Sequence, residues 1–143
     1  MRRRAADQKK GTINMQQPLL TIARGTFRTK TTSGRVVCRD SAAWQRLWEE
    51  HMAEDERPSP PTVDFSTQAV IAVFVGQRPT SGWTVEITAA EVPNGGRSTG
   101  GRLTVSYRVR GPVGPAQDVL TSPFHIVSLP RAGWDTANFV QSS

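Results

Sequence analysis

A thiol and two imidazoles are the most reactive side chains here: Cys38, His51 and His125. Cysteine catalysis requires a thiolate beside an imidazole, so it would pair Cys38 with His51 or His125. Cys38 closes the run Arg35-Val36-Val37-Cys38, which reads as strand interior with no glycine-rich elbow around it. A buried, inert thiol is the expectation. A Ser-His-Asp set can be assembled from Ser122, His125 and Asp118, but no Gly-x-Ser-x-Gly elbow presents the serine. Two His and one Cys, scattered along the chain, do not supply a zinc set. The carboxylates of Glu49-Glu50 and Glu54-Asp55-Glu56 read as a solvated helix end. The paired glycines Gly95-Gly96 and Gly100-Gly101 lie between strands, where no helix start can hold a pyrophosphate. No catalytic residue, metal or cofactor is expected.

Loop chemistry is what remains. Arg78-Pro79-Thr80-Ser81-Gly82-Trp83 joins a cation, a rigid ring, two hydroxyls, a residue free to take positive φ and a large aromatic. Loops on a rigid β scaffold are where binding function concentrates, and Arg and Trp are frequent interface anchors. These six residues are the candidate protein-binding site. Trp83 has a competing reading: with Val85 and Ile87 it begins an alternating strand and would face the core.

The elements that must position this loop follow from the hydrophobic pattern. The 143 residues suffice for one domain with a real core. Twelve Gly and ten Pro favour turns and short strands. Leu19–Lys30, bent at Gly25, and Arg35–Arg39 read as a hairpin across Thr31-Thr32-Ser33-Gly34. Ser41 reads as the N-cap of an amphipathic helix at about 41–53, with Trp44, Leu47, Trp48 and Met52 on one face. His51, beside that stripe, reads as a partly exposed C-terminal capping residue. Ala69–Val75 is apolar throughout, the mark of a central strand buried on both faces. Trp83–Thr88 alternates cleanly and is expected to pair with it as a hairpin. Leu103–Val109 and Phe124–Leu129 add further strands, and Trp134 and Phe139 would draw the C-terminal segment back onto the domain.

The expected fold is mainly β (α+β by count). It is an antiparallel β-sandwich or partly open barrel of six to seven short strands, with the one helix covering a face or an end.

Charge narrows the partner class. The net charge is +6, of which the first ten residues contribute +4, leaving +2 for the remainder. The division is therefore a basic, disordered tail over 1–17 and a single domain over 18–143. No specific nucleic-acid binding is expected, only weak, tail-dependent attraction at low salt. The basic start is not followed by an apolar signal core, and Pro18–Ala23 is too short and polar to span a membrane. A cytoplasmic location is the default expectation. The oligomeric state is left open.

In order, the Trp44–Trp48 helix, Val63-Asp64-Phe65, the Ala69–Gly76 strand, Arg78–Trp83 and Ser122-Pro123-Phe124-His125-Ile126-Val127 resemble the PrcB-type domain of bacterial protease-complex subunits, over about 39–130. The family's loop is similar to Pro-Thr-Gly-Gly-aromatic, and its C-terminal signature to Ser-Pro-Tyr-His. Ser81 and Phe124 depart from these patterns, and the exported or lipid-anchored leader common in the family is not seen here. The resemblance implies a noncatalytic accessory domain, associated with a protease and stabilising it. The Arg78–Trp83 loop is also similar to the Asn-Pro-Thr-Thr-Gly-aromatic loop of chagasin-type cysteine-protease inhibitors, whose second glycine-rich loop would correspond to Pro93–Gly101. Arg78 replaces their Asn and their Arg-Pro-Trp motif is missing, so inhibition is the alternative function.

Overall fold

The computed structural model describes residues 14–26, 32–51, 60–93 and 101–142. The tail over 1–13, the helix end beyond residue 51 and the loop 94–100 lie outside the described residues. The described residues form eight strands and one helix, in order β1 (Met15–Gln16), β2 (Leu20–Gly25), β3 (Ser33–Cys38), α1 (Ser41–His51), β4 (Gln68–Val75), β5 (Thr84–Val92), β6 (Arg102–Arg110), β7 (Phe124–Pro130) and β8 (Thr136–Ser142). One sheet has the order β1-β5-β6-β8 and the other β2-β7-β4-β3. The result is a sandwich with α1 as a third layer. Among the described residues no helix is long and apolar enough to cross a membrane.

β4 shows why the layers form. Its odd residues Ala69, Ile71 and Val73 enter the core between the sheets, against Val85, Ile87, Leu103, Val105 and Tyr107. Its even residues Val70, Ala72 and Phe74 enter a second core beneath Trp44, Leu47 and Trp48 of α1. A strand flanked by β3 and β7 and covered on both faces must be apolar throughout, and this one is.

Two expected hairpins are not made. β2 and β3 lie at opposite edges of one sheet, separated by β7 and β4. β4 and β5 lie in different sheets, so the Gly76–Trp83 segment crosses the sandwich instead of turning within a ladder. Short apolar strands pair with whichever neighbour best covers them, and here β7 returns from far along the chain to lie between β2 and β4. The tertiary gain outweighs the local connection.

The strand count also exceeds the six to seven expected. Met15 and Gln16, placed by sequence in the tail, pair with Val92 and Glu91. The C-terminal segment does pack back: Trp134 is 2% exposed, and β8 runs parallel to β6, the one parallel pair among the described strands. A bulge between Ile87 and Ala89 shifts the inward face of β5 from odd to even positions, so Ala90 and Val92 stay buried where strict alternation would expose them.

Asp40, not Ser41, caps α1. Its carboxylate accepts the Ala43 N–H at 2.8 Å, which makes Ser41 the first helical residue. His51 is also corrected. It is 5% exposed and stacked on Phe74, with ring centroids 3.8 Å apart and planes 6° from parallel. At i+7 from Trp44 it completes the apolar stripe, and the imidazole serves there as a flat packing surface.

Candidate functional site

The Arg78–Trp83 loop is fastened to a second segment, residues 111–121. Arg78 and Thr121 exchange backbone hydrogen bonds at 2.7 and 2.9 Å. The Ser81 N–H donates to the Gln117 carbonyl at 3.0 Å, and the Ser81 hydroxyl accepts the Gln117 N–H at 2.9 Å. The Thr121 hydroxyl donates to the Thr80 carbonyl at 2.9 Å. Gly82 has φ +89°, and a Cβ there would stand 2.6 Å from Cβ of Pro112, so only glycine permits this approach. With five such attachments the two segments form one surface. The sequence signal for the second, Gly111-Pro112-Val113-Gly114-Pro115, marks a strand break but not its docking partner.

Sequence reading left two positions open for Trp83, and the structure settles between them. Trp83 precedes β5, is partly buried and takes no place in either core. The Arg78 guanidinium lies over its ring at 5.1 Å from the centroid. A Cβ at Gly111 would meet the benzo edge of the indole at 3.3 Å, so the ring also rests on this glycine. Pro79 is exposed, Thr80 and Ser81 are partly so, and Gly82 is exposed at the turn. Beside them stand Val113, fully exposed, and Leu120, 59% exposed.

The Ser122–Val127 signature adjoins this loop through Thr121. Ser122 donates its N–H to the Thr26 carbonyl at 2.6 Å, and the Pro123 carbonyl accepts the Val75 N–H at 3.3 Å. His125 points between the sheets. Its Nδ1 accepts the Ile87 N–H at 2.8 Å, which leaves the proton on Nε2, 2.9 Å from the Thr21 hydroxyl. With both nitrogens engaged the ring is not available as a base for Ser122. Burial, aided by the Arg24 charge, pulls its pKa down to about 4. Asp118 is exposed in the 111–120 segment, whereas Ser122 and His125 are buried.

Cys38 is 1% exposed at the end of β3, and burial, reinforced by Asp40, pushes its thiol up to about 11. Such a thiol is a poor nucleophile at neutral pH. Among the described residues no group of three His, Cys, Asp or Glu could hold a metal ion.

Of the glycine-rich stretch paired with the loop by the inhibitor resemblance, residues 94–100 lie outside the described residues, and only its ends Pro93 and Gly101 are placed. Thr84 pairs with Arg110 at the near end of the β5–β6 ladder, and Glu91 pairs with Thr104 at the far end. Pro93 and Gly101 therefore sit a strand's length, roughly 30 Å, from Trp83.

The order of motifs is thus built into one connected unit running from β4 through the zipped loops to β7. Residues 69–130 match the family model described as PrcB C-terminal. The PrcB C-terminal match starts at the inward-facing Ala69 of β4 and ends with β7, so it contains both the Arg78–Trp83 loop and the Ser122–Val127 signature. It bears out the resemblance over that stretch; β1 to β3, α1 and β8 lie outside it. No curated protein and no solved structure matches the chain.

Proposed function

We propose that this protein is a noncatalytic protein-binding domain that serves as an accessory subunit of a protease complex. The PrcB C-terminal match supports the protease-associated context. The observation that carries the binding reading is the fastening of Arg78–Gly82 to Gly111–Thr121, which holds Pro79, Val113 and Leu120 outward on a fixed backbone. Exposed apolar side chains usually cost solubility without return, but on a preformed surface they lower the ordering cost of association. His125 has both ring nitrogens engaged and Cys38 is buried, so neither of these two is poised for turnover.

A photo-crosslinking amino acid at Val113 or Leu120 tests this in the native bacterial host. Adducts to a protease subunit are expected from both positions and not from Ser66, at the opposite end of β4. Equal labelling from Ser66, or no specific adduct, would remove this surface. Assay of the captured protease then separates the two roles: an accessory subunit preserves or raises its activity, whereas an inhibitor lowers it.

A further inference from the structure

Arg35 and Arg78 arrive from different elements, the β3 edge and the crossing loop, and line one recess of about 130 Å³ at this end of the sandwich. Among the described residues no Asp or Glu lines it. The Tyr107 hydroxyl accepts from both Nε and Nη2 of Arg35, at 3.3 and 3.0 Å, and Arg78 is held over Trp83. Among the described residues neither guanidinium has a carboxylate partner. Both cations are therefore fixed in place by uncharged groups. Gln141 adds an amide, while Val73 and Val109 supply apolar wall.

We propose that this recess binds a polypeptide carboxylate, either a chain terminus or an acidic side chain of the partner. Two fork-shaped donors suit a planar carboxylate, and the apolar wall suits the carbon stem attached to it. A free phosphate would leave that wall unused. The volume is that of about four water molecules, enough for a carboxylate and its first carbons. This extends the reading that the same end of the molecule meets a protein, but its test needs no partner. An empty recess would leave the Val113 and Leu120 cross-links unaffected, and absent cross-links would leave anion binding intact.

Amide chemical shifts of the full chain should be followed during titration with four probes at matched ionic strength. N-acetyl-alanine offers a terminal carboxylate, N-acetyl-glutamate α-amide a side-chain carboxylate, N-acetyl-alaninamide neither, and inorganic phosphate a different anion. Saturable, millimolar shifts centred on Arg35, Arg78, Tyr107 and Gln141 are expected from one or both carboxylates, the tighter one naming the source. The neutral amide should give none. Arg35→Gln and Arg78→Gln together should weaken binding at least tenfold, and Arg35→Lys should lose part of it while keeping the charge. Unaltered spectra elsewhere would show that these variants fold. No saturable shift, equal binding of the amide, tighter binding of phosphate, or unchanged affinity in the double variant would overturn the proposal.

Discussion

The Nδ1 of His125, in β7, accepts the backbone N–H of Ile87, in β5, at 2.8 Å, and so ties one sheet of the sandwich to the other. β1 covers β5 at Glu91 and Val92, and the Gln17 N–H reaches the Ala90 carbonyl at 2.8 Å; among the described residues the Thr84–Thr88 side of that edge has no strand partner. His125 closes the N–H at Ile87, and Arg24 of β2 closes the neighbouring Val85 carbonyl at 3.1 Å. An edge that would otherwise invite another chain is sealed by side chains from the opposite sheet.

Burial of His125, aided by the Arg24 charge, makes folding stability depend on pH. The folded pKa of about 4 lies below the ordinary 6.5, so unfolded chains bind the proton first. Stability from this residue should be complete above about pH 6.5 and decline as pH falls toward 4. Urea unfolding across that range checks the slope. His125→Leu should flatten it and, by orphaning a buried N–H, cost about 1–3 kcal/mol at pH 7.5. An unchanged slope in that variant would assign the effect to other groups.

Gly82→Ala should destabilise the domain by about 2 kcal/mol or more, because left-handed backbone and close packing on Pro112 both forbid a side chain. Gly114 offers the control. It has φ +92° but open space around it, so Gly114→Ala should cost only about 1–2 kcal/mol. Thermal melts of the two variants compare contact with conformation alone.

Trp83→Ala should leave the domain folded, with a loss of about 1–2 kcal/mol from the Arg78 stacking and the contact on Gly111. Trp44→Ala, which empties a buried site under α1, should cost about 3–5 kcal/mol. Chemical denaturation of both variants tests the placement of Trp83 outside the cores. Equal losses would contradict it.

Cys38 should react with disulfide reagents at pH 8 only through the small fraction of chains that are open, since burial pushes its folded thiol up to about 11. Adding urea below the unfolding midpoint should accelerate labelling in step with the unfolded fraction. Rapid, urea-independent labelling would place the thiol at the surface.

Deleting residues 1–14 should shift the melting temperature by no more than a few degrees and abolish any weak, salt-sensitive binding to DNA or RNA. The cut spares Met15 and Gln16, which pair with β5. Tight binding of nucleic acid by the truncated domain at physiological salt would reassign the function.

Sequence alone was sufficient wherever a periodicity reports its own environment. The unbroken apolar run of Ala69–Val75 announces a strand covered on both faces, and Trp44, Leu47 and Trp48 announce a helix with one buried side. The PrcB resemblance was legible because the Arg78–Trp83 and Ser122–Val127 motifs keep their order, and the match over 69–130 bears it out. Partner choice was not legible. A strand's pattern says how much of it is buried but not by what, so nothing in β2 or β5 told which neighbour each would take. The candidate site shared that fate. Gly82 displays its freedom to turn, but the Pro112 that requires it lies on a distant stretch of chain. Arg35 and Arg78 are far apart in sequence, and the pairing of β3 with β4, whose end leads into the crossing loop, brings them to one recess. Hydrogen bonds between segments and charges shared across sheets depend on closure of the whole domain, which no local window of sequence contains.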